Sequence, residues 1–307
     1  MLTKSFILLL AVLADKVLGE PARYHPLIGF GRLANRVERS LNKPTTRTSA
    51  RLSGILAVGI VVLPVVLLTA ELTQTPLLVV NMVVTIIVLF FCVGGHSLQA
   101  HTNAILAALR NEDLPGARVQ LSKIVSRDTQ HLNQEEIAQA TLESTLENGN
   151  DAVFGALFWF LVAGAPGAIA YRLINTLDAM WGYRTARFIY FGWFAARCDD
   201  ALNWVPARLT ALSYAFLGNF KQALRCWRKQ GRRHASFNAG VVMAAGAGAL
   251  NVRLGGRARY QGKWHERPAF GVGLPPTLRD IERGLTMIKN TTYLWIGVAL
   301  AGALIHA

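Results

Sequence analysis

Two uncharged runs separated by five residues limit this chain's possible folds more than any other feature. Residues 52–70 and 76–95 contain no Asp, Glu, Lys or Arg, and they are 19 and 20 residues long. A bilayer crossing needs roughly 20 such residues. The linker Glu71-Leu72-Thr73-Gln74-Thr75 has no basic residue. Arg36, Arg39, Lys43, Arg47 and Arg51 precede the pair, and Arg110, Arg118, Lys123 and Arg127 follow it. Basic flanks stay on the cytoplasmic side, so the pair is expected to be one transmembrane hairpin with both ends inside the cell.

The later apolar runs are broken. Residues 152–171 are uncharged, but Gly164-Ala165-Pro166-Gly167 interrupts them, and glycine next to proline ends or kinks a helix. Arg172, Arg184, Arg187 and Arg197 follow, and a full crossing would strand them outside. Two re-entrant half-helices turning at the break keep them inside. Residues 201–217 and 234–252 are interrupted or rich in Gly and Ala and have basic neighbours, so broken or interfacial helices are expected there. Such breaks at membrane depth must be buried in protein or line a polar cavity. Residues 1–19 form a short apolar segment with no small-x-small cleavage site, read as an uncleaved membrane helix. Residues 290–307 are long enough for a terminal anchor.

The expected class is an all-α polytopic membrane protein: one clear hairpin, broken or re-entrant helices, and cytoplasmic helices. It is read as a single domain in four stretches. Residues 1–95 hold the first helix and the hairpin, and 96–150 the cytoplasmic helices. Residues 151–252 hold the broken helices, and 253–307 a loop and anchor. In 96–150, Asn133 is placed to cap a helix with Glu136 three residues on. The Gly-rich stretch 254–273 is expected to be an ordered loop with little regular structure. Composition agrees: 52% of residues are hydrophobic and 16% charged, against about 25% charged in soluble domains. The net charge of +14 suits anionic lipid and anionic substrates. It does not suggest nucleic acid, because the arginines form no stripe. The three cysteines form neither a CxxC nor a disulfide framework.

Polar residues cluster between 143 and 208. Glu143, Glu147 and Asp151 recur every four residues and would share one helical face, with Ser144 and Asn148 beside them. Asn175 and Asp178 are co-facial between Arg172 and Arg184. Asp199, Asp200 and Asn203 lie between Arg197 and Arg208. Each group alone could be a solvated face or a cap. Together they suit phosphate and carboxylate handling: carboxylates plus water and phosphate hold Mg²⁺, and arginine grips oxyanions in bidentate fashion. Glu147, Asp151 and Asp178 are the expected metal ligands. Arg184, Arg197 and Arg208 are the expected oxyanion ligands. Asp15 and His25 sit in a polar turn after the first helix, and Arg127-Asp128-Thr129 could cap a helix or touch phosphate. His234, His265 and His306 are isolated and are not read as ligands. The stretch 264–268 could close over a site or anchor at the interface. No Walker loop, GxSxG or HExxH motif occurs.

Several runs together resemble the CobD/CbiB family of cobalamin biosynthesis. They are Arg127-Asp128-Thr129, Glu143-Ser144 with Glu147-Asn148, Asn175 through Asp178 to Gly182-Tyr183-Arg184, Ala195-Ala196-Arg197 with Asp199-Asp200, Asn203, and Pro206-Ala207-Arg208. Asp15, Gly19-Glu20-Pro21, His25-Pro26, Asn238-Ala239-Gly240 and Arg253-Leu254-Gly255-Gly256 fit as well. The resemblance covers nearly the whole chain. It implies a multi-pass inner-membrane ligase with its active site facing the cytoplasm. The enzyme would join adenosylcobyric acid to aminopropanol or its O-phosphate, driven by ATP with Mg²⁺. Other membrane enzymes of cobalamin assembly would be its partners. Glu143, Glu147, Asn148, Asp178, Asp199 and Asp200 would be catalytic. Asp15, His25, Arg127, Arg172, Asn175, Tyr183, Arg184, Arg197, Asn203, Arg208 and Asn238 would bind substrate. Two stretches depart from the family pattern: Asp151-Ala152, where aspartate-glycine is expected, and Met243, where an acid is expected. A membrane transferase acting on a phosphorylated alcohol, a transporter, and a non-catalytic regulatory relative are the competing readings.

Overall fold

The computed structural model describes residues 2–21, 25–43 and 46–305; His306 and the ends of the first and last apolar segments lie outside the described residues. The described chain is helical apart from four strands of two or three residues, and four helical stretches are long and apolar enough to cross a membrane: Arg47–Leu72, Leu78–Arg110, Gln134–Trp181 and Leu278–Ile305. By contact the chain divides into two compact units. One comprises Met1–Gly94, Asp151–Asn203 and Ala299–Ala307, and the other Gly95–Asn150 and Trp204–Val298. The stretch 151–252 is thus shared between them, with the division after Asn203.

The first unit contains α1 (Leu2–Leu18), α2 (Pro26–Leu41), α3 (Arg47–Leu72), α4 (Leu78–Cys92), α8 (Gly155–Trp181) and α9 (Trp193–Leu202). Helices α3 and α4 are the expected hairpin. At 1.5 Å per residue, the 26 residues of α3 reach about 39 Å, enough to cross a core of about 30 Å. Helix α8 is two helices. Gly164 has φ +68° and ψ −160°, a conformation essentially reserved for glycine. Beyond it the chain doubles back. A Cβ on Gly155 would lie 2.1 Å from the Tyr171 ring, and one on Gly167 would lie 2.6 Å from the Trp159 carbonyl. Residues equidistant from the break therefore face each other, which is an antiparallel hairpin. Its first arm within α8, 155–163, extends about 13 Å and continues back through the π-turn Asn150–Phe154. The expected turn at the glycine–proline break is present. Phe30, Val58, Val61, Leu177, Trp181 and Phe191 form the core of this unit.

The second unit contains α5 (Gly95–Arg110), α6 (Leu114–Leu121), α7 (Gln134–Gly149), α10 (Trp204–Leu217), α11 (Phe220–Gln230), α12 (Phe237–Leu250) and most of α13 (Leu278–Ile305). Asn133 and Glu136 form the expected capping box at the start of α7. Helix α12 is apolar because it is buried in protein: every residue from Asn238 to Leu250 is buried. Its Ala and Gly side chains let α10, α11 and α7 approach closely. The stretch 254–273 is more regular than expected. β1 (Arg253–Leu254) pairs antiparallel with β4 (Phe270–Gly271), and β2 (Ala258–Tyr260) with β3 (Lys263–His265). Gln261 and Gly262, at φ +49° and +78°, give the β2–β3 ribbon a two-residue turn whose twist matches paired strands.

Candidate functional site

Each unit carries a polar cluster. In the first, α8 presents Asn175 and Asp178, and α9 presents Asp199 and Asp200. Asp199 is fixed from both sides: Oδ1 accepts the Asn175 amide at 3.1 Å and Oδ2 the Asn203 amide at 3.1 Å. Asn203 Oδ1 in turn accepts the buried Tyr171 hydroxyl at 2.9 Å. Burial, with the Asp200 charge added, holds the Asp199 carboxyl above its ordinary range despite the two amide bonds. Asp200 pairs with Arg197 at 2.7 Å. Asp178 is half-buried, and no described residue donates a hydrogen bond to its carboxylate; its charged neighbours are Asp199, Asp200 and Arg197. Its Oδ1 lies 2.0 Å from where a Cβ on residue 182 would sit, so Gly182 leaves room for it.

Gly182 and Arg197 also line a cavity of about 300 Å³ with Arg51, Arg184, Tyr190 and Trp193, and none of its lining residues is acidic. Arg51 stacks over the Trp193 ring at 5.0 Å. Tyr183 is exposed and is not among the lining residues. Elsewhere in this unit Asp15 and His25 are buried. His25 Nδ1 accepts the Leu27 N–H at 3.2 Å and caps α2, and its Nε2 lies 3.9 Å from Glu20. Burial pushes His25 down although Glu20 pulls the other way. Arg172 keeps a buried Nε with no hydrogen-bond partner. The Asp151 carbonyl accepts the Tyr171 hydroxyl at 3.3 Å.

In the second unit Glu143 is buried and ringed by donors. Arg267 approaches it in bidentate fashion at 2.9 and 3.0 Å, Arg127 pairs with Oε2, the Gly255 N–H donates at 2.7 Å, and Gln139 donates at 3.2 Å. These contacts saturate the four lone-pair positions of a carboxylate. Glu143 therefore locks the 253–273 segment onto α7 and holds Arg127 and Arg267 in place. Glu147, Asn148, His234, Met243 and Tyr260 join this group around a cavity of about 220 Å³. Burial pushes His234 down. Arg208 donates to Asn238 at 2.8 Å, tying α10 to α12.

The model of the CobD/Cbib protein family matches residues 8–288. A cobalamin biosynthesis protein CobD of Chromobacterium violaceum is 49% identical over 99% of this chain and 98% of its own length. Those of Stutzerimonas stutzeri and Mycobacterium tuberculosis are 51% and 39% identical, over 97% and 94% of this chain and 97% and 92% of their own lengths. The chain belongs to the CobD/CbiB family of cobalamin biosynthesis. No solved structure matches it.

The residues that carried the resemblance to CobD/CbiB fall into both clusters. Asp15, His25, Asp151, Arg172, Asn175, Asp178, Tyr183, Arg184, Arg197, Asp199, Asp200 and Asn203 lie in the first unit, and Arg127, Glu143, Glu147, Asn148, Arg208 and Asn238 in the second. Glu147 is thus assigned to a different unit from Asp151 and Asp178. Among the described residues no three His, Cys, Asp or Glu side chains gather as a metal-ligand set. The donors do fit an ion held by one or two carboxylates, with water and phosphate completing its shell, the usual manner for Mg²⁺. Asp178, an acid beside two others with no donor of its own, is where such an ion fits. Met243, where the resemblance leads one to expect an acid, is buried in the wall of the Glu143 cavity. Arg51 and Arg267 were not among the expected site residues. For Arg267 the signal was its place in the 264–268 stretch, read as able to close over a site.

Proposed function

We propose that this chain is the ATP-dependent ligase that joins adenosylcobyric acid to aminopropanol or its O-phosphate, giving adenosylcobinamide or its phosphate. It would work at the cytoplasmic face of the bacterial inner membrane, alongside other membrane enzymes of cobalamin assembly. The observation that carries the reading is the pairing of Asp178, Asp199 and Asp200 with an acid-free cavity lined by Arg51, Arg184 and Arg197. Cationic walls beside paired acids are what phosphoryl transfer to a carboxylate requires. A cavity of about 300 Å³ is at the small end for ligand sites. It takes one carboxylate arm and the activating phosphate, and the corrin ring stays outside.

In this reading the corrinoid carboxylate takes the γ-phosphoryl group of ATP, releasing ADP. The amine nitrogen then attacks the acyl carbon, the carbon–oxygen bond to phosphate breaks, and phosphate and the amide leave. Arg184 and Arg51 hold the phosphoryl oxygens, and Arg197 is steadied by Asp200. Asp199, oriented by Asn175 and Asn203, takes the proton the amine loses at Oδ1 or Oδ2; burial raises its pKa, which makes it a stronger base than an ordinary aspartate. Asp178 would hold Mg²⁺, whose charge would offset that of the phosphate.

The test uses the purified full chain with adenosylcobyric acid, ATP and aminopropanol phosphate, and a control lacking the corrinoid. Asp178→Asn and Asp199→Asn are expected to lower amide formation by about 10²–10⁴-fold while the protein stays in the membrane. Undiminished product from both variants, or ATP turnover unaffected by the corrinoid, defeats the proposal.

A further inference from the structure

Between Asp200 and Glu266 the chain has no acidic residue and eleven Lys or Arg. The structure concentrates part of that charge on one helix. Lys221, Arg225, Arg228 and Lys229 fall at i, i+4, i+7 and i+8 of α11, one face of a 3.6-residue helix; Arg232 follows in the 3-10 turn Gly231–Arg233, and all five are exposed. The opposite side of α11 is anchored: Ala223 and Cys226 are buried, Trp227 packs on the Ala211–Val241–Ala245 core, and Gln230 binds the Gly271 backbone in both directions at 3.0 and 2.7 Å. The basic face is therefore held rigid and turned outward. Among the described residues no ion pair involves any of these five side chains.

An apolar tip adjoins this face. Phe216, 65% exposed, and Phe220, 40% exposed, meet with ring centroids 5.1 Å apart, and Leu217 between them is exposed too. The helix that carries Phe216 in its last turn is tied to a membrane-grade helix. Ser213, one turn earlier on α10, accepts the Trp295 indole N–H at 3.0 Å. Trp295 lies in the apolar half of α13, a candidate span, about 7 Å beyond Asn290 along the axis. The junction of α10 and α11 is thus within a turn or two of a side chain at lipid depth. A rigid cationic stripe bordered by exposed aromatic rings beside a spanning helix is the pattern of a helix lying in a headgroup layer.

We propose that the exposed face of α11 rests on anionic phospholipid headgroups, with Phe216 and Phe220 inserted at the acyl boundary and the Lys221–Arg232 stripe against the phosphates. The occupant is lipid and not an acidic protein because the aromatic pair borders the stripe and α10 is bonded to α13.

The test is hydrogen exchange of the full chain in phosphatidylcholine nanodiscs with and without phosphatidylglycerol. Amides of 220–233 are expected to exchange at least about tenfold more slowly with the anionic lipid. The difference should vanish in about 1 M NaCl, where the screening length falls to ~3 Å. It should also vanish in the K221E/R225E/R228E/K229E variant, while exchange in α12 stays unchanged. If the variant unfolds, α12 exchange rises with it, and the salt response of the unaltered protein decides. Equal rates in the two lipids refute the proposal. Protection by soluble polyglutamate in neutral nanodiscs, with no effect of anionic lipid, refutes it in favour of an acidic protein partner.

Discussion

Glu143 is the residue whose loss should most damage the second unit. Its side chain is 3% exposed, and its two partners, Arg127 and Arg267, are 11% and 12% exposed. Replacing it with alanine leaves two nearly buried guanidinium groups facing no counter-charge and frees the Gly255 N–H and the Gln139 amide. Removing one partner of a buried ion pair costs about 3–5 kcal/mol. The orphaned backbone N–H adds about 1–3 kcal/mol. At about 2–4 °C per kcal/mol for a unit of this size, the thermal midpoint of Glu143→Ala should fall by at least ~8 °C. The reasoning makes a sharper claim about the whole group. If the damage comes from uncompensated charge, replacing the three charged residues together by apolar ones (Glu143→Met, Arg127→Met, Arg267→Leu) should recover most of it, as apolar replacement of a buried ionic group often does. Thermal unfolding in one detergent, followed by tryptophan fluorescence and by hydrogen exchange across 253–273, compares the three proteins. A Glu143→Ala midpoint within 2 °C of the parent, or a triple variant worse than the single one, would show that the charges are not what holds this segment to α7.

Three further outcomes follow from particular residues. Gly164→Ala places a Cβ at φ +68°, ψ −160°; the Cβ has room, with Pro166 Cδ 3.7 Å away, so the loss is the conformational strain alone, about 1–3 kcal/mol, read as a lower midpoint. If Asp199 takes the amine proton, amide formation should rise with pH through a midpoint above the ordinary aspartate value of about 3.9, and Asp199→Asn should abolish that limb. Burial pushes Glu38 up, but hydrogen bonds from Arg187 and Asn42 and the arginine charges outweigh it, so its folded pKa lies below the unfolded one. Its contribution to stability is full above the unfolded value of about 4.3 and fades as pH falls through the folded one. Glu38→Gln should flatten acid unfolding over that interval, and an unchanged profile would count against the ion pair.

What could be read from the sequence was what short stretches decide for themselves. The uncharged lengths of 52–70 and 76–95, the Gly164–Gly167 break and the Asn133 cap depend on residues within a few positions of each other, and all three appear where expected. The lock on Glu143 could not be read in that way, because its donors stand 112 and 124 residues away at Gly255 and Arg267. Nothing near Glu143 signals a partner in a glycine-rich stretch. That stretch has order because Glu143 and Gln139 grip it and because Gln261-Gly262 turns a ribbon.

The acidic series Glu143, Glu147, Asp151 runs across a change in helical winding. Spacing by four puts side chains on one face only while the helix keeps 3.6 residues per turn. Between Glu147 and Asp151 the chain passes into a π-helical turn, Asn150–Phe154, whose wider winding shifts every later residue out of phase. It is at this turn that the chain leaves one unit for the other. The sequence carries a reason for the turn. Thr210 donates to the Asn150 side chain at 3.0 Å, and the Tyr171 hydroxyl reaches the Asp151 carbonyl. Both are side-chain bonds available where the helical ladder loosens. Single-turn π segments inside helices are frequent at functional sites. This one parts a saturated, positioning carboxylate on α7 from the acids of α8 and α9, where Asp199 is held by two amides, Asp200 is paired with Arg197, and Asp178 accepts no hydrogen bond from a described residue.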